Sequence, residues 1–76
     1  MSAYEEYAQE VREVNALLAS GFMIVGVTEG LEGMDVRFQG RPPSSRTAEL
    51  RLLTADARKY VSALIFESLR AGSPSV

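Results

Sequence analysis

Apolar residues in the first twenty positions fall at helical spacing. Tyr4, Tyr7, Ala8, Val11, Val14 and Leu18 recur every three or four residues, while Glu6, Gln9, Glu10, Arg12 and Glu13 fall elsewhere on the helical wheel. Ser2, followed three residues later by Glu5, has the form of a capping box, in which each side chain satisfies an orphan backbone N–H of the first turn. Gly21, after Ala19 and Ser20, suits the left-handed position that ends a helix. The pattern predicts a helix over 3–19.

The spacing then shifts to alternation. "FMIVGVTEG" (22–30) is too short for another helix and rich in Val, Ile and Thr; a glycine-flanked turn separates it from the alternating "MDVRFQG" (34–40). With Gly30-Leu31-Glu32-Gly33 as the connection, Glu29 pairs with Met34, Val27 with Val36 and Val25 with Phe38. Asp35, Arg37 and Gln39 must then face water, so Met23, Val25 and Val27 are expected in the core with Met34, Val36 and Phe38. By the same register Phe22 and Ile24 point outward from an edge strand. "AELRLL" (48–53) alternates again, with Ala48, Leu50 and Leu52 inward and Glu49 and Arg51 outward.

Thr54 is placed to cap a second helix, with Asp56 in the first turn where the helix dipole favours an acid. Ala57, Tyr60, Val61, Leu64 and Ile65 form its apolar stripe, and Arg70, Gly72 and Pro74 mark its end. Phe66 lies about 100° around that helix from Ile65, off the stripe. The order is helix, strand, strand, strand, helix. A three-stranded antiparallel meander with both helices on one face buries every stripe in one core, so the expected class is α+β, as a single domain over 1–72 with a frayed tail at 73–76.

Composition narrows the chemistry. The chain has 76 residues and neither cysteine nor histidine, which removes disulfides, thiolate and imidazole metal ligands, and nucleophiles activated by histidine. The carboxylate pairs Glu29 with Glu32 and Glu10 with Glu13 have acid–base spacing, but on an exposed turn and helix face nothing desolvates them. No catalytic residue, cofactor or metal is therefore expected. The start of the chain lacks the basic and apolar regions of a signal peptide, the longest apolar run is far short of the roughly 20 residues that span a bilayer, and the absence of disulfide staples in so small a chain fits a reducing cytoplasm.

The net charge of −2 hides an asymmetry. Residues 1–35 carry seven acids against Arg12, giving −6; residues 36–76 carry seven bases against Glu49, Asp56 and Glu67, giving +4. Among those bases, Arg37 and Arg51 fall on the outer sheet face, and Arg41 and Arg46 flank the Pro/Ser stretch of the loop over 40–47. These four arginines are the candidate contacts for an acidic partner or for phosphates. Asp35 and Glu49 interleave on the same face, as in a solvated sheet with cross-strand ion pairs.

The element order resembles that of the double-stranded-RNA-binding domain over most of the chain. The resemblance implies RNA contact through a basic cluster at the start of the second helix and through the first strand-to-strand loop. The matching positions hold Thr54, Ala55, Asp56, Ala57, Arg58 and Lys59, and Gly30, Leu31, Glu32 and Gly33, so an acid stands in each.

Two functions follow as expectations. Surplus apolar residues at Phe22, Ile24 and Phe66 mark a protein interface, making the chain a small cytoplasmic interaction module, an inhibitor, adaptor or assembly factor of the kind common among bacterial and phage accessory proteins, and a homodimer. The alternative is a nucleic-acid-binding domain using Arg37, Arg41, Arg46 and Arg51. Neither reading involves a membrane.

Overall fold

The computed structural model describes residues 3–72; Ser2 of the expected capping box and the expected tail at 73–76 lie outside the described residues. The elements are α1 (Ala3–Ala19), β1 (Phe22–Gly30), β2 (Gly33–Gly40), β3 (Thr47–Leu52) and α2 (Ala55–Gly72). The strands form one antiparallel sheet in the order β1-β2-β3, and both helices cover the same face, as the stripes require.

Local chemistry fixes the element ends. At the end of α1 the Ser20 N–H donates to the Ala16 carbonyl at 3.0 Å and Gly21, at φ 97°, donates to Leu18 at 3.1 Å. The β1–β2 turn closes with Gly30 opposite Gly33. Gly33 takes φ 146°, and a Cβ there would sit 2.6 Å from the Leu52 carbonyl oxygen of β3, so the position demands glycine on two counts. Thr54 caps α2: its hydroxyl accepts from the Ala57 N–H at 3.2 Å.

The expected pairings Glu29–Met34 and Val27–Val36 are present, but below them the register changes. Ile24, not Val25, lies opposite Phe38, because β1 bulges between Ile24 and Gly26. The extra residue inverts the facing of everything before it. Phe22 is therefore buried in the core and Ile24 is half-buried against it, whereas Met23 and Val25, expected inside, are 41% and 51% exposed; Val27 keeps its inward facing but, exposed at the end of the strand that the helices do not cover, lies outside the core it was expected to join. Gly26 makes room for the turn in the ladder: a Cβ there would meet the Arg37 guanidinium at 2.5 Å.

Val14, Phe22, Met34, Val36, Phe38, Leu52, Ala57 and Val61 form the core. The helices lie side by side in the same direction. Tyr4 and Tyr7 of α1 stand beside Thr54 and Asp56 at the start of α2, the Tyr60 hydroxyl donates to Asn15 Oδ1 at 2.6 Å midway, and Leu18 meets Leu64 and Ile65 towards the far end.

Glu10 is the second departure from expectation. Rather than facing water, it is buried at the junction of α1 with the β3–α2 link. Its carboxylate accepts from the Leu53 N–H at 2.7 Å, the Thr54 N–H at 3.1 Å and the Thr54 hydroxyl at 2.7 Å. Hydrogen bonds to a charged acceptor are the strong ones, and removing it strands three donors at once. Glu10→Ala is expected to lower unfolding free energy by about 1–3 kcal/mol in urea titration, and Glu10→Gln, which keeps one acceptor oxygen, by less.

Candidate protein interface

The outer sheet face is a network of cross-strand polar pairs. Arg51 Nε donates to Asp35 Oδ1 at 2.8 Å and its Nη2 lies 3.4 Å from Oδ2, while Nη1 stands 3.6 Å from Glu32. The hydrogen bond and charge of Arg51, with a further contribution from Arg37, hold the Asp35 carboxyl below its ordinary value of 3.8; Asp35 and the nearby Glu32 and Glu49 in turn raise Arg51. Arg37 lies across Gly26 and donates to Thr28 Oγ1 at 2.8 Å. The structure thus splits the four candidate arginines: Arg37 and Arg51 are held within the sheet, and Arg41 and Arg46 stay on the loop. At the start of α2 Arg58 is half-buried, leaving Lys59 as the exposed base of that pair.

The loop between β2 and β3 is tied down. Gly40 N–H donates to Arg46 carbonyl oxygen at 2.8 Å, Ser44 N–H to Arg41 carbonyl oxygen at 2.9 Å, and Arg41 N–H to Gly21 carbonyl oxygen at 3.3 Å; the Pro42–Pro43 bond is cis. These bonds fold the segment back onto the start of β1, where the Arg46 guanidinium sits 5.2 Å from the centre of the Phe22 ring.

Exposed apolar side chains cluster instead along β1 and the far half of α2. Met23, Val25 and Val27 lie on β1 and Leu31 on its turn, with Phe66 and Leu69 on α2; of the remaining exposed large hydrophobics among the described residues, Tyr4 and Leu53 lie elsewhere. Between the two elements runs an open groove of about 560 Å³, lined by Leu18, Phe22, Met23, Ile24, Leu64, Ile65 and Leu69 together with the polar Arg41 and Ser68. Phe66 is 62% exposed, as its angular position predicts. Phe22 and Ile24 form the floor of the groove rather than an outward face, a correction that follows from the bulge. Met23 and Leu69 were missed; the glycine inside the strand pattern at Gly26 was the signal that could have exposed the register change.

Among the described residues no group of three or more acidic, histidine or cysteine side chains could hold a metal ion, and no helix is long and apolar enough to cross a membrane. Comparison with known protein families, with curated proteins and with solved structures finds no match.

Two measurements check this geometry. Phe22→Ala is expected to cost about 3–5 kcal/mol of stability in urea unfolding, as for a buried aromatic, while Phe66→Ala changes it by no more than about 0.5 kcal/mol. Because the Asp35 carboxyl is more acidic in the folded chain than unfolded, its contribution is present above the ordinary value and lost as pH falls through the lower folded one. The melting-temperature difference between the parent chain and Asp35→Asn should therefore be constant near neutrality and close below about pH 4.

Proposed function

We propose that this chain is a non-catalytic protein–protein interaction module that acts in the cytoplasm as a homodimer, in the manner of an inhibitor, adaptor or assembly factor. The observation that carries the reading is the union of an unpaired, largely apolar edge strand with an apolar groove beside it. Monomers rarely keep such features together: exposed strand edges are usually short, charged or covered. β3, the other edge, follows that rule, being six residues long and bearing Glu49 and Arg51. β1 is nine residues long and carries a single charge, Glu29. A domain this small also buries only roughly 60% of the surface its unfolded chain exposes, so association adds stability where the margin is thin.

Binding to nucleic acid is the competing reading, and its arginine face is weakened by the internal engagement of Arg37 and Arg51. Light scattering across a concentration series, at low and high salt and with a short generic RNA duplex, separates the two. The expected result is a mass that rises with concentration from 8.3 kDa and ignores the duplex. A duplex-dependent shift that disappears at high salt would transfer the function to the nucleic-acid reading.

A further inference from the structure

The bulge gives β1 an internal symmetry. On its near side Phe22 and Ile24 face the helices and Met23 faces out; on its far side Val27, opposite Val36, and Glu29, opposite Met34, face the helices, and Thr28, opposite Asp35, faces out. Val25 and Gly26 together stand against the outward Arg37, with Val25 beside the outer-face residues Gln39, Thr47 and Glu49. In an antiparallel pair, opposed residues must point to the same face. If a second β1 is laid antiparallel against the first, one register satisfies this from Phe22 to Glu29: Phe22 opposite Glu29, Met23 opposite Thr28, Ile24 opposite Val27, and Val25 opposite Gly26. A shift of one residue either way sets inward side chains against outward ones, and a shift of two does so at the bulge.

Charge agrees with that register. The end of β1 at Phe22 carries Arg46 on its ring and Arg41 in the groove lining, and the other end carries Glu29. Antiparallel pairing brings the basic end of each copy to the acidic end of the other, twice per dimer, because contacts across a two-fold axis occur in reciprocal pairs. Resting on the interaction-module reading, we infer that the occupant of this edge is a second copy of the chain, its β1 paired antiparallel about a two-fold axis between Val25 and Gly26. The two sheets become one of six strands with all four helices on the same side. Val27 of each copy enters the groove of the other beside Ile24, and the far halves of the two α2 helices flank the seam with Phe66 and Leu69.

The test is a charge exchange, read by sedimentation over a concentration series with circular dichroism to verify the fold. Glu29→Arg alone sets like charges together at both contacts, as does the double variant Arg41→Glu with Arg46→Glu; each is expected to weaken self-association about tenfold. When the two variants are mixed, one contact of the mixed dimer joins the reversed strand end to the reversed loop, and the other keeps its parent residues. Opposite charges then meet at both, so a heterodimer of the parent affinity should form. A parent chain that stays monomeric at the highest concentration reached overturns the inference, and so does a dimer indifferent to these reversals but abolished by Phe66→Ser, which would place the contact on the helices. The second result keeps the homodimer of the proposed function and moves only its contact; the first removes the homodimer as well, and the duplex measurement then separates interaction with another protein from nucleic-acid binding.

Discussion

The extra residue in β1 governs the open edge of the sheet. Strand alternation has a strict period, so a single inserted residue exchanges the two faces for everything on one side of it. Here it turns Phe22 and Ile24 under the helices and brings Met23 and Val25 to the surface, while Val27 keeps the facing set by the turn. The core thereby acquires an aromatic from the start of the strand, and the edge acquires an apolar character that the polar outer face of β2 and β3 does not share. Arg37 completes the arrangement by lying across Gly26 to reach Thr28, occupying the space a side chain on that glycine would need.

Glu10 plays the corresponding part on the helical side. A carboxylate is costly to bury unless its oxygens find donors, and the link between a strand and a helix carries backbone N–H groups that belong to neither ladder. Burying Glu10 against the Leu53 and Thr54 N–H groups meets both needs and fixes where α2 leaves the sheet. Further along α2, Leu64, Ile65 and Leu69 line the groove beside β1, so Glu10 and the groove stand at opposite ends of the same helix.

Much of the architecture was legible because independent signals agreed. The bounds of α1 followed from its spacing and Gly21, the hairpin from paired glycines and the alternation of Asp35, Arg37 and Gln39, and the start of α2 from Thr54. The apolar edge was legible only in part. "FMIV" is apolar at four successive positions, so alternation cannot choose a face there, and a regular ladder carried through Gly26 gives the wrong register. Phe66 was recoverable because its angular position needed no such extrapolation. Glu10 was hidden by its charge: Tyr7, Val14 and Leu17 surround it at helical spacing, yet a charged type is read as exposed unless its partners, more than forty residues away, are known.

The parallel course of the two helices decides where the described chain leaves the fold. Its first residues stand beside Thr54 and Asp56, at the end where α2 begins, whereas α2 finishes roughly a helix length away, about 25 Å, past Leu69 and the groove. The start of α1, beside Thr54 and Asp56, lies at the end of the helix pair away from the groove. The end of α2 lies instead on the groove side, so the two ends of the described chain are not equivalent places from which to tether it.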